Sequence, residues 1–396
     1  MNMNEQMKES EESILHTYNR FPVVFEKGQG CYLYDSEGKE YLDFAAGIAV
    51  NSLGYHYPGY DEALKDQIDK LMHISNLYYN EPIIEAGAKL VKASKMSKAF
   101  FTNSGTEAIE GALKAAKKYA YVRDGHADHE IIAMNHSFHG RSIGALSVTG
   151  TAHYREPFEP LMGGVKFADF NDLESVKAQI TDKTCAIITE VVQGEGGIYP
   201  AKKEFLEGLR QICDEKDIML IFDEIQCGMG RTGHYFAWQA YGVQPDIMTS
   251  AKALGCGVPV GAFVLNEKAA KASLEPGDHG TTYGGNPFVC AAVSKVFDIY
   301  EKDKIIEHVQ ETAPYLEQKL DEIVAKHECA ATRRGMGFMQ GIVIQGRPVG
   351  EVVKAALAKG LLVISAGSDV LRIVPPLVIT KEHIDKMAAI LDECME

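Results

Sequence analysis

Between about residues 98 and 265, short apolar runs alternate with amphipathic stretches whose apolar positions recur every three or four residues. "KAFFTN", "EIIAMN", "KTCAIITE", "DIMLIFDE", "PDIMTSAK" and "PVGAFVLN" are rich in β-branched and other apolar residues and read as strands. "TEAIEGALKAAKKYAYV" and "KEFLEGLRQICDEKD" carry an apolar stripe at helical spacing and read as helices. Alternation of this kind predicts an α/β fold with a mainly parallel sheet covered on both faces. Beyond it, 287–327 has a helical pattern. A glycine-flanked strand "GMGFMQGIVI", a helix near 349–359, two strands and a final helix follow. This second pattern predicts a smaller α+β domain joined by the first sixty residues. The expected division is a large domain over 60–285 and a small one built from 1–59 and 286–396.

In open sheets of this type, ligands sit beyond the carboxyl ends of the strands, so the residues that follow each strand are the candidate site. In "FFTNSGTEAIEGALKAAKK", Gly105 frees a turn and Thr106 presents a hydroxyl and an amide where a helix begins. A phosphate there gains roughly 0.3 to 2 kcal/mol from the helix dipole, although an ordinary capped helix has the same signature. The chain has neither G-x-x-x-x-G-K-[ST] nor a strand-following G-x-G-x-x-G, which argues against ATP and dinucleotides.

In "IMLIFDEIQ", strand alternation puts Asp223 and Ile225 on one side and Glu224 on the other. An acid beside an aliphatic suits a flat heteroaromatic ring. Asp223 would pair with a protonated ring nitrogen, Ile225 would pack beneath, and Phe138 would cover the far face. The plain alternative for Asp223 is a helix cap. Lys252, in "PDIMTSAKALGCGVPVGA", has no carboxylate within five positions on either side. Either its ammonium snorkels to water or it is an amine kept neutral to attack a carbonyl.

Composition narrows the choice. The 396 residues are 46% hydrophobic with a formal net charge of -15, which disfavours nucleic acid and anionic membrane as partners. The opening "MNMNEQMKESEESILHTYNR" lacks the apolar core of a signal peptide, and no apolar run is long enough to span a membrane. The eight cysteines form no C-x-x-C pair, as expected of reduced thiols in a cytoplasm. The histidines of "GHADHEIIAMNHSFHGR" match neither H-E-x-x-H nor H-x-x-E-H, so no catalytic metal is expected.

A phosphate-binding helix start, an acid after one strand, a lysine after another and an aromatic cover together describe a site for pyridoxal 5'-phosphate. At these residues the chain resembles the class III aminotransferases, pyridoxal-phosphate enzymes of fold type I, and most closely the acetylornithine aminotransferases. The likeness runs from "RFPVVFEKGQGCYLYDSEGKEYLDFAAGIAVNSLGYHYP" through "NSGTEAIEGALKAAKK", "NHSFHGR", "QGEGG", "FDEIQCGMGRTG", "AKALGCG" and "HGTTYGGNP" to "LRIVPPLVIT".

The resemblance implies that Lys252 carries the Schiff base and shuttles the proton, that Asp223 holds the pyridine nitrogen and that Gln226 contacts the ring hydroxyl. It implies that Gly105 and Thr106 bind phosphate, joined by Thr282 of the partner subunit in a homodimer, and that Phe138 stacks on the ring. Arg141 would take the substrate's α-carboxylate, with Thr281 beside the substrate. Glu195 would pair with Arg372 and release it when 2-oxoglutarate needs a second clamp, whereas Arg372 read alone is equally a surface charge on a strand. The implied reaction is transfer of the δ-amino group of N-acetylornithine to 2-oxoglutarate, a step of arginine biosynthesis, or of a related ω-amine. The family's "AKGLGGG" is altered here at Ala253 and Cys256, and its frequent proline is replaced by Val191. Ile48 stands where ornithine aminotransferases carry a substrate-binding tyrosine, which favours an acylated donor.

Overall fold

The computed structural model describes residues 3–396; Met1 and Asn2, the start of the segment assigned to the smaller domain, lie outside the described residues. A seven-stranded sheet is ordered Lys98–Thr102, Gly261–Leu265, Ile247–Ser250, Met219–Asp223, Thr184–Glu190, Glu130–Met134 and Val165–Ala168. Every strand runs the same way except Gly261–Leu265, which is antiparallel to both of its neighbours. The six quoted strand stretches all form, while Val165–Ala168 is an edge strand that the apolar pattern did not reveal.

Alternation along the strands explains why both faces are covered. Leu220 and Phe222 pack into one apolar cluster with Phe205, Leu206 and Leu209 of the helix Lys203–Lys216. Met219 and Ile221 pack into the other with Ile109, Ala112 and Leu113 of the helix Gly105–Asp124. A strand buried on both sides reads as a continuous apolar run, which is why "IMLIF" shows no polar face.

Two four-stranded sheets flank this core. In one, Phe25–Gln29, Tyr32–Asp35 and Glu40–Asp43 are joined by Leu361–Leu362, so the two ends of the chain share a sheet. The other is ordered Ala330–Met336, Met339–Ile344, Val370–Ile373 and Ile364–Ala366, with Arg372 opposite Gly341. Here "GMGFMQGIVI" is not one strand but the inner part of a hairpin. Gly337, at φ +60°, turns the chain between Met336 and Met339 in the left-handed region that glycine occupies without penalty. The helices Pro287–Lys302 and Ile305–Lys326 fill the stretch read as helical. Among the described residues, no helix is long and apolar enough to cross a membrane.

Candidate active site

A cavity of about 450 Å³ opens at the carboxyl edge of the large sheet. Its wall includes Gly105, Thr106, Phe138, Arg141, Glu195, Asp223, Ile225, Gln226 and Lys252. Segments far apart in sequence meet there because parallel strands end on one edge.

The helix Gly105–Asp124 begins at the cavity, with Ser104 as its cap accepting a hydrogen bond from the Glu107 amide at 3.3 Å. Thr106 Oγ1 lies 2.7 Å from Ser142 Oγ, which donates to Glu110 at 2.6 Å, so the helix start is tied to the loop that follows Glu130–Met134. Gly140 lets those two segments approach, since a Cβ there would lie 2.4 Å from Thr106 Oγ1. In the same loop Arg141 stacks on Tyr154 at 4.2 Å and on Phe138 at 5.4 Å while remaining exposed.

Asp223 ends its strand, is 4% exposed and is held from three sides. His139 Nδ1 donates to its Oδ2 at 2.7 Å, and the Ile225 amide and Thr249 hydroxyl donate to its Oδ1 at 3.0 and 3.2 Å. Glu190 is its register partner on the adjacent parallel strand. That carboxyl accepts from the amides of Phe138 and Gly194 at 3.3 and 3.1 Å. Burial pushes Glu190 up to about 7, opposed by His139 and reinforced by the charge of Asp223. Glu224, on the other side of the strand as alternation requires, accepts from the amides of Ala237 and Trp238 at 2.8 Å and takes no part in the cavity.

Lys252 follows Ile247–Ser250 at φ +50°, a left-handed conformation that is costly for a residue with a side chain. Among the described residues its ammonium has no hydrogen-bond or ion-pair partner, although its carbonyl accepts from the amides of Gly255 and Cys256. Burial pulls its ammonium down to about 8, even though Glu195 attracts the charge. Half-buried, it lines the cavity rather than the outer surface. Arg372 is no surface charge either. It is 3% exposed, donates to Glu195 at 2.5 and 3.2 Å, and reaches Gln226 Oε1 and the Ser365 carbonyl, each at 3.1 Å. Burial would raise Glu195, but the Arg372 guanidinium outweighs it and holds the carboxyl below its usual value.

Thr281 accepts a hydrogen bond from Asn103 Nδ2 at 3.2 Å without lining the cavity, and Arg372 meets the cavity wall only through Glu195 and Gln226. Thr282, expected to serve the partner subunit, is exposed. Sequence reasoning placed His139 and Glu190 at the strand ends but gave neither a role beside Asp223. The register signal was present for Glu190, since it ends a strand as Asp223 does.

The aminotransferase class-III family model matches residues 14–395. An acetylornithine aminotransferase of Caldanaerobacter subterraneus is 47% identical over 382 residues, 96% of this chain and 97% of that protein. The solved ornithine aminotransferase of Toxoplasma gondii superposes with a TM-score of 0.95 at 28% identity, covering 100% of this chain and 95% of its own. The N-acetylornithine aminotransferase of Stenotrophomonas maltophilia gives 0.84 at 35% identity, with 98% of both chains covered.

Two outcomes follow from the buried charges. Arylation of ligand-free protein by fluorodinitrobenzene, mapped by mass spectrometry, will rise at Lys252 with a midpoint near pH 8; a midpoint near 10.5, the ordinary lysine value, refutes the burial argument. Glu190 has a raised folded value, so its unfolded form ionises first. Stability then falls as pH rises from the ordinary 4.5 towards 7 and levels off above. Ligand-free Glu190→Gln will therefore gain on wild type by about 1–3 kcal/mol between pH 5 and 7.5 in denaturant unfolding. A difference independent of pH contradicts this.

Proposed function

Since the chain belongs to the class III aminotransferase family, we propose that it uses pyridoxal 5'-phosphate to move the δ-amino group of N2-acetyl-L-ornithine to 2-oxoglutarate. The products are N-acetyl-L-glutamate 5-semialdehyde and L-glutamate. The carrying observation is an unpaired, deprotonation-prone Lys252 in one cavity with buried Asp223 and beside the Glu195–Arg372 pair. An amine with no partner and a buried carboxylate facing no fixed cation suit an aldehyde and a ring nitrogen. The relatives named acetylornithine aminotransferases, 47% and 35% identical, support the choice of donor. Ile48, φ +65° and carrying no hydroxyl, supports an acylated donor over free ornithine.

Pyridoxal phosphate, when bound, supplies an aldehyde that condenses with amines and a protonated ring that takes up an electron pair. Lys252 Nζ is the amine that would hold that aldehyde, and as a free amine it would move the proton at the donor's amine-bearing carbon, a contribution of about 10² to 10⁴-fold. Asp223 keeps the ring nitrogen protonated, its orientation fixed by His139, Thr249 and the Ile225 amide. Gly105 and Thr106 hold phosphate at the helix start, Phe138 and Ile225 enclose the ring, and Gln226 takes its hydroxyl. Arg141 binds the donor's α-carboxylate. Glu195 masks Arg372 for the monocarboxylate donor and releases it for the dicarboxylate acceptor.

In this reading residues 60–285 form the cofactor-binding domain, and 1–59 with 286–396 the smaller one. The working form is a homodimer in which Thr282 of the partner subunit completes the phosphate site. Exposed Leu77, Tyr78, Tyr79 and Tyr283 support this. The first three lie in a segment tied to the 281–285 loop, where Asn76 Nδ2 donates to the Gly284 carbonyl at 2.8 Å and His73 packs on Tyr283. Eight free thiols suit a cytoplasmic enzyme.

The test separates the two arginines. Lysine keeps the charge but loses the planar two-point grip. Stopped-flow records of the cofactor's colour will show Arg141→Lys slowing the N-acetylornithine half-reaction and Arg372→Lys the 2-oxoglutarate half-reaction. Each loss will be about 10 to 150-fold in efficiency, the equivalent of about 1.5–3 kcal/mol. Equal losses in both halves for both variants refute the division, and faster turnover of free ornithine or 4-aminobutyrate than of N-acetylornithine refutes the donor.

A further inference from the structure

Arg231 is 1% exposed and has no carboxylate partner among the described residues. Burial pulls its guanidinium down to about 10. Withdrawing a cation from water without an ion pair is expensive, so its contacts show what it is kept for. Nη1 donates to the carbonyls of Pro375 and Phe338, the latter at 3.4 Å, and the Arg231 carbonyl accepts from the Phe338 amide at 2.8 Å. A side chain at Gly337 would lie 2.5 Å from that carbonyl, so the hairpin turn sits directly on Arg231.

These contacts flank Arg372. Phe338 leads into Met339–Ile344, whose Gly341 is the register partner of Arg372, and Pro375 lies three residues beyond Arg372. The segment that carries Arg231 also carries Gln226, which accepts from the Arg372 side chain at 3.1 Å. The segment 226–231 thus grips the side chain of Arg372 at one end and the backbone around it at the other. In the Glu195–Arg372 pair, the Glu195 side chain is 25% exposed and that of Arg372 is 3% exposed, so the carboxylate is the partner free to leave.

We infer that Arg231 is a positioning residue that fixes Arg372 beside Glu195 and Gln226 of the cavity wall, so that departure of Glu195 leaves a guanidinium already in place for the second carboxylate of the acceptor. Lysine is not equivalent, because a compact ammonium on a flexible stem is not held in one orientation as the planar guanidinium is, whose Nη1 donates to both carbonyls. The inference rests on the reading of Arg372 as the acceptor clamp.

The test compares 2-oxoglutarate with pyruvate, a keto acid without a second carboxylate, in the acceptor half-reaction of holoenzyme carrying Arg231→Lys. The apparent dissociation constant for 2-oxoglutarate will rise at least tenfold. The constant for pyruvate and the rate of the donor half-reaction will stay within about twofold. Equal losses with both keto acids, as a general loss of stability would give, or an unchanged constant for 2-oxoglutarate, overturn the inference. Should Arg231→Lys fail to fold, Gly337→Ala, which presses on the Arg231 carbonyl, must reproduce the selective loss in smaller measure, and its absence overturns the inference equally. Arg372→Lys serves as the control: if it spares 2-oxoglutarate, the reading of the clamp has failed, whereas if it is selective and both Arg231→Lys and Gly337→Ala are not, only the present inference has.

Discussion

Charge withdrawn from water at the carboxyl ends of three neighbouring strands is the constraint on which the rest depends. Glu190, Asp223 and Lys252 each follow or close an apolar run in the middle of the sheet, where bulk solvent cannot neutralise them. The two acids are compensated by fixed donors: backbone amides for Glu190, and an amide, a hydroxyl and an imidazole for Asp223. Among the described residues the Lys252 ammonium has no bonded partner, and the charge of Glu195 offsets its burial only in part, so it gives up its proton more readily. The sheet therefore acts as more than a scaffold, since its burial lowers the affinity of Lys252 for its proton.

The second consequence is a site shared between sheets. Glu195 hangs from a loop of the large sheet and Arg372 from a strand of a smaller one, and their ion pair crosses the gap between them. A buried pair is not in itself strong evidence for stability, because desolvation offsets much of the Coulomb attraction. It is well suited to exchange, because a carboxylate on a ligand can replace Glu195 at little net cost. Gln226, bonded to Arg372 and lining the cavity, links that exchange to the floor of the site.

Much of this was legible in the chain. Continuous apolar runs and helical stripes located six of the seven strands of the large sheet, and their ends gathered Gly105, Thr106, Phe138, Arg141, Asp223, Gln226 and Lys252. Val165–Ala168 escaped because an edge strand of four residues has no periodicity to distinguish it. The hairpin around Gly337 escaped because a single glycine between apolar residues looks like an interruption, whereas the left-handed turn there reverses the chain. His139 was hidden because its partner Asp223 lies 84 residues away and only folding joins them. Thr282 is exposed in the single chain, so the role proposed for it at a partner's site has no signal in the local pattern.

The central claim is that Lys252 is left unpaired in order to bond a carbonyl. It is tested most directly by incubating the protein with pyridoxal phosphate, reducing with borohydride and mapping the labelled peptides. The account predicts one pyridoxyl group per chain, on Lys252, with loss of the visible absorption band. Label distributed over exposed lysines, or fixed on another single lysine while Lys252 stays free, would contradict it.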